Sequence, residues 1–320
     1  MKFYALINSL SVFCCAWGFY AHQQINELAI YTLPGDLLAF YKPNLNYIRE
    51  VAVNPDRRRH SVPEEAPRHY IDLDHYGDSA LLIIPKNWKE AVESFGEDTL
   101  TAYGVVPWHI NRMYYALREA FLLKDPARIL KMSSELGHYV GDAHVPLHTT
   151  ENYNGQLTGQ DGIHGFWESR LPELFARDFS FLVGRATYIN DPLAAAWQAV
   201  RDSHAAVDSV LEIERTLTHD RPGRKYSFES KGRTTAKVYA ESFSRLYHKR
   251  LDGMVERRMR AAIRLIGNLW FSAWIDAGQP DITDLLNYQP TEEELIGRRH
   301  ELEQWRREKN VHVRPHEGEP

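Results

Sequence analysis

The sequence predicts an all-α fold, a single multi-helix domain, and three observations carry that reading. Apolar residues recur at helical spacing through most of the chain. Strand alternation is scarce, with Leu81 to Ile84 the only apolar run of strand length. No internal repeat divides the sequence. At 320 residues, 43% hydrophobic and 25% charged, the composition is that of a soluble globular protein with length enough for a sizeable core.

The elements follow in chain order. Met1 to Ala16 has Lys2, an apolar run from Phe3 to Cys15, and small residues before Trp17. That is the layout of a secretory signal cleaved after Ala16, too short to span a membrane, and it points to a secreted or periplasmic protein. A buried first helix is the competing reading, and a lipid anchor on Cys14 or Cys15 is disfavoured by the residues that precede them. Both cysteines lie in this segment, so disulfides, a thiolate metal site and a cysteine nucleophile are excluded from the mature chain. Residues 17–290 form the expected helical domain, and 291–320 a charged C-terminal helix and tail that frays over Val311 to Pro320.

Within the domain, Ile25, Leu28 and Ala29 mark a first helix ended by Pro34-Gly35. Asn44 to Ala66, rich in proline and charge, reads as irregular. Tyr103 to Leu123 is helical, with Ile110, Met113, Tyr114, Leu117, Ala120 and Phe121 on one face. Asp125-Pro126 starts the next helix, Ala127 to about Ala143. Thr149 to Gly162 is loop, and Ile163 to about Arg177 is helical again. Pro192 to about Thr216 is helical, 219–233 a basic loop with aromatics, and Thr234 to Ala277 one long helix broken near Gly253.

The stretch Gly137 to Leu171 carries the chemistry. It sets His138 and Asp142 four apart, His148 beyond a proline, then His164 and Glu168 four apart. Residues four apart share a helix face, so each pair can aim two donors at one point. Imidazole and carboxylate are the donors that hold zinc and related divalent ions. One such pair is more often a surface hydrogen bond, but two pairs plus a fifth donor so close together point to metal. The net charge of −5 argues against nucleic-acid binding by basic surface alone, yet leaves an anionic substrate open, because bound metal dominates a local field.

The ordered set W-G-x-x-x-H at Trp17, Asp56, H-Y-I-D at His69, H-x-x-x-D-x-x-x-P-L-H at His138 and H-x-x-W-E at His164 resembles a known superfamily. It is that of bacterial zinc-dependent phospholipases C and single-strand-specific zinc nucleases, and the likeness spans Trp17 to Glu168. The resemblance implies an all-α protein with three zinc ions. One ion would take the amine and carbonyl of Trp17, His22 and Asp142; a second Asp56, His69, His138 and again Asp142; the third His148, His164 and Glu168. A free α-amine, with a pKa near about 8, is a competent ligand once deprotonated. Asp72, Asp74 and Asp78 compete with Asp56 for its place.

By the same likeness the chain is a secreted zinc-dependent phosphodiester hydrolase, in which a metal-bridging hydroxide attacks phosphorus in line. Three zinc ions against three carboxylates and a hydroxide leave a pit of about +2, suited to a phosphate ester. Asp56 would accept the water's proton and Arg59 would neutralise the phosphate oxygens. HYVGD and the final Glu lean toward the phospholipase branch. Asp56-x-x-Arg59 leans toward a single-strand nuclease or 3′-nucleotidase. Tyr70 and Asp72 are substrate-binding candidates placed to stack on and hydrogen-bond a base, but an aromatic there also occurs in the phospholipase branch, and a core tyrosine with a capping Asp is an equal reading, so they do not separate the two. A reading of another class is an inactive zinc- or phosphate-binding surface protein. The partner implied is a phospholipid or single-stranded nucleic-acid substrate, and no protein partner is implied. Lys225 to Phe228 is a candidate for peripheral contact with a membrane surface or a strand, against the favoured reading of a solvated loop. His60, His75, His109 and His144 fall on no family position.

Overall fold

In the computed structural model, which describes residues 19–231 and 234–308, the helical expectation holds for most of the chain. The signal reading at Met1 to Ala16, Trp17, and the frayed end at Val311 to Pro320 lie outside the described residues. Helix α1 runs Phe19–Ile30 and buries Ala21, Ile25 and Ala29 on one face. Pro34 caps α2 (Gly35–Tyr41).

Of the region expected to be irregular, the first part is instead helical in short pieces, α3 (Leu45–Val51) and α4 (Asn54–Arg58), while 59–65 runs through turns as expected. Ile48 and Val51 are buried as α3 packs on α1 and on a later helix, α9, so tertiary burial overrides a weak local signal. Leu81 to Ile84 is no strand either: Ala80–Ile83 is a single helical turn, α5. It is followed by α6 (Trp88–Phe95), capped by Asn87, and α7 (Glu97–Ala102).

Two long neighbours hold the centre. Helix α8 (Val106–Leu122) buries Ile110, Met113, Tyr114, Leu117, Ala120 and Phe121, the face its periodicity predicts. Helix α9 (Pro126–Ala143) starts at Asp125, whose side chain accepts from the Arg128 amide at 3.0 Å, with Pro126 in the first turn. Then come α10 (Ile163–Gly165), a π turn at Phe166–Arg170, and α11 (Leu171–Phe175), an interrupted form of the helix expected there. The segment from Pro192 is split into α12 (Pro192–His204) and α13 (Val207–Asp220).

The largest departure is a hairpin. The basic loop and the start of the expected long helix pair as antiparallel strands β1 (Tyr226–Lys231) and β2 (Thr234–Tyr239), with Tyr226 opposite Tyr239. Tyr239 stacks on Phe166 at 3.7 Å, and Arg170 clamps Glu229, so the hairpin rests on the π turn. Beyond it, α14 (Glu241–Arg250) and α15 (Met254–Asp276) are separated at Gly253, whose φ of 73° is the left-handed conformation glycine tolerates. Helix α15 packs on α1, α8 and α9, and Trp270 lies against Tyr41 while donating to the Ser133 carbonyl at 3.0 Å.

The charged tail forms α16 (Glu292–Arg307), with a Thr291–Glu294 capping box and no buried residue. No helix among the described residues is long and apolar enough to cross a membrane.

Candidate metal centre

Every described side chain of the expected ligand set converges in three groups of metal-capable donors. They are His22, Asp56 and His138; His69, His138 and Asp142; and His148, His164 and Glu168. These side chains are almost wholly buried, Asp56 being the most exposed at 9%. Trp17 lies outside the described residues.

Backbone packing makes the convergence geometrically available. Helix α1 crosses α9 at Gly137 and Gly141, one turn apart. A Cβ on Gly137 would lie 2.0 Å from Asn26 Oδ1, and one on Gly141 would lie 3.0 Å from the His22 ring. The two glycines let the helices approach until His22 stacks on His138 with ring centroids 3.9 Å apart. Asn26 then donates to the His22 carbonyl at 2.9 Å, fixing the turn that carries the histidine.

Asp142 sits at the hub, its two oxygens facing different ways. Oδ1 lies 3.3 Å from His22 Nε2 and 4.0 Å from His148 Nε2. Oδ2 lies 2.9 Å from His69 Nδ1 and 3.2 Å from His138 Nε2. Asp56 Oδ1 is farther out, 3.7 Å from His138 Nε2 and 3.8 Å from His69 Nδ1. Of its sequence competitors, Asp74 is occupied elsewhere, accepting from Thr150 Oγ1 at 2.7 Å and the Glu151 amide at 2.9 Å.

The outer ring nitrogens decide what the inner ones can do. His138 Nδ1 is 2.8 Å from the Ala52 carbonyl, His148 Nδ1 2.6 Å from the His69 carbonyl, and His164 Nδ1 3.1 Å from the Tyr153 carbonyl. A carbonyl only accepts, so in each ring the proton sits on Nδ1 and Nε2 presents a lone pair. His148 and His164 aim those lone pairs at Glu168 Oε2, at 3.2 and 3.1 Å. His138 Nε2 and His69 Nδ1 lie 3.1 Å apart beside Asp142. Buried lone pairs and carboxylates facing one another repel unless cations lie among them, and the donor set fits divalent metal. Glu168 is carried by the π turn, a helical irregularity common at functional sites.

Without metal, protons are the available cations, and the ionisation equilibria reflect this. Burial acts to lower His69, but hydrogen bonds to Asp142 and Glu65 outweigh it and raise the imidazole to about 9. His148 is also raised, Asp142 and Glu168 overcoming its desolvation. Burial would raise Asp142, yet His138 and His148 hold it well below the carboxylate range, and Glu168 is likewise lowered by His164 and His148. His22 goes the other way, lowered by desolvation and by His138.

The remaining candidates are placed as follows. The arginines after Asp56 diverge: Arg57 bonds Asn54 Oδ1 at 2.9 Å, Arg58 turns inward to Glu65 and Glu135, and Arg59 is buried just past α4. Tyr70 is half-buried with its hydroxyl on the Ala102 carbonyl at 3.3 Å, and Asp72 is buried with its amide on the Tyr103 carbonyl at 2.7 Å. His109 packs edge-on against Tyr139, His75 stacks on Tyr103, and His144 Nδ1 donates to the Val140 carbonyl at 2.7 Å.

Several supporting groups escaped the sequence reading. Gly137, Gly141 and Asn26 set the helix crossing, while the Ala52 and Tyr153 carbonyls set tautomers. Glu65 stands beside His69 Nε2 at 3.4 Å. Only Glu65 had a usable signal, since it precedes His69 by the same spacing of four that marked the other pairs. Compared with known proteins, the chain matches no family model and no curated protein.

Proposed function

We propose that the protein is a secreted, zinc-dependent phosphodiester hydrolase of the phospholipase C type, holding three zinc ions. One observation carries the reading most. Asp142 directs Oδ2 at His69 and His138 and Oδ1 at His22, the arrangement a carboxylate shared between two neighbouring ions would need. On this reading His22 and Asp142, with the Trp17 amine and carbonyl, hold one ion; Asp56, His69, His138 and Asp142 a second; and His148, His164 and Glu168 the third. Zinc ions so held supply Lewis acidity and a nucleophile at neutral pH.

The chain's own residues do the rest. Asp56, the farthest of the carboxylates from the imidazoles and the most exposed, accepts the proton of the attacking water. Arg59, just past Asp56 in the chain, neutralises charge on the phosphate oxygens. The buried imidazole cage excludes bulk water, which strengthens each of these interactions. Glu168 in place of an aspartate supports the phospholipase branch.

The test assays zinc-loaded protein side by side on phosphatidylcholine, single-stranded DNA and a nucleoside 3′-phosphate. Release of phosphocholine as the dominant activity is the expected result. Dominant cleavage of the DNA or the nucleotide would move the protein to the nuclease reading, and hydrolysis of none of them would leave a zinc- or phosphate-binding protein. A protein with residues retained ahead of Trp17 is expected to lose the ion held there.

A further inference from the structure

Behind His69 lies a buried charge cluster that the proposed chemistry does not use. Glu65 is wholly buried, accepts from three side chains and has a fourth, His69, close by. Arg58 Nε reaches Oε2 at 2.8 Å, Arg68 Nη1 reaches the same oxygen at 2.7 Å, Tyr139 Oη donates to Oε1, and His69 Nε2 stands 3.4 Å from Oε1. Arg58 also bonds both oxygens of Glu135, at 2.8 and 3.1 Å. Two guanidinium groups thus face two carboxylates, and the cluster is neutral with Glu65 ionised.

An ionised carboxylate only accepts. His69 turns Nε2 toward this carboxylate and Nδ1 into the donor cluster, 2.9 Å from Asp142 Oδ2 and 3.1 Å from His138 Nε2, so with a metal ion among those donors the ring's one proton would sit on Nε2, facing Glu65. That is the reverse of His138, His148 and His164, where a backbone carbonyl takes the Nδ1 proton and Nε2 faces inward. We infer that Glu65 is a positioning residue that makes His69 bind metal through Nδ1, alone among these four histidines. The inference rests on the metal reading above and adds to it which atom binds and what selects it. A carboxylate behind a ligating imidazole fixes the ring and raises its basicity, and losing such a partner costs about 10–100-fold in metal affinity. At 3.4 Å the contact is long for a hydrogen bond, and a shift of a few tenths of an ångström in the ring closes it.

The experiment uses full-length, zinc-loaded protein carrying 15N-histidine. The ring nitrogens are read by two-bond proton–nitrogen NMR, with the His69 signal identified by its loss in His69→Asn. One histidine, His69, is expected to show protonated Nε2 and metallated Nδ1. In Glu65→Gln, zinc titration should show a 10–100-fold weaker ion at the His69 group while the His148, His164 and Glu168 group is unchanged. A purely structural role would weaken both groups alike or neither, and either result overturns the inference. Should Glu65→Gln not fold, the wild-type tautomer decides: Nε2-metallated His69 refutes the assignment. A wild-type protein that binds no zinc at all sinks the metal reading itself, a result distinct from zinc bound through the wrong nitrogen.

Discussion

Gly141→Ala tests whether the helix crossing builds the metal centre. The added Cβ would lie 2.8 Å from Ile25 Cδ1 and 3.0 Å from both Cε1 and Nδ1 of His22. Carbon contacts are favourable at about 3.5–4.0 Å, so the ring must withdraw by roughly 0.5–1 Å. Metal–ligand distances tolerate only about 0.2 Å. Ile25 can turn its terminal methyl aside, but His22 is stacked on His138 and cannot yield without leaving Asp142. The ion at His22 is therefore expected to bind at least about 10-fold more weakly, with the His148 group unaffected. Overpacking costs about 1–3 kcal/mol, offset in part by about 1 kcal/mol from replacing a helical glycine. Gly297→Ala is the control, on an exposed helix face where the new Cβ meets nothing within 4 Å. It should keep full zinc and gain up to about 1 kcal/mol. The assay is zinc stoichiometry by titration beside thermal unfolding. If Gly141→Ala bound all its zinc at wild-type affinity, the close-approach argument would be refuted.

Three further outcomes are expected. His138→Ala should lose metal and phosphodiesterase activity together, by more than the about 10–100-fold that an outer partner costs; full zinc content with undiminished turnover would contradict the ligand assignment. Chelation should lower the melting temperature, because each ion present at about 100 times its dissociation constant contributes about 2.7 kcal/mol. An unchanged melting curve in chelator would speak against bound metal. For pH, His109 is held well below 6.5 by burial and by Arg68, so the unfolded chain binds its proton first. The His109 contribution to stability is then full above about pH 6.5 and falls as pH drops, by up to about 1.4 kcal/mol per unit. His109→Gln should flatten that acid limb in denaturant titrations at pH 5 and 7; an equal slope in both proteins would count against the assignment.

Much of the fold and most of the donor set were legible from local spacing. A period of 3.6 encodes which face of α8 or α9 is apolar, and a spacing of four places His138 with Asp142 and His164 with Glu168 on one side of a turn. Where local signals were weak the reading failed. Leu45–Val51 and Asn54–Arg58 are helical because their few apolar side chains are buried, Leu45–Val51 against α1 and α9, and Tyr226–Lys231 and Thr234–Tyr239 pair because two polar strands find each other and rest on Phe166 and Arg170.

The sequence by itself set out the donors His138, Asp142, His148, His164 and Glu168 by their spacing, while His22, Asp56 and His69 came in only through the family resemblance. Only the tertiary structure decided which atom of each points inward. His138 is oriented by a carbonyl 86 residues away, His148 by one 79 residues away, and His22 reaches Asp142 through the closeness of two helices at glycines. A ring's tautomer depends on the group behind it, and that group is brought there by packing rather than by chain neighbourhood.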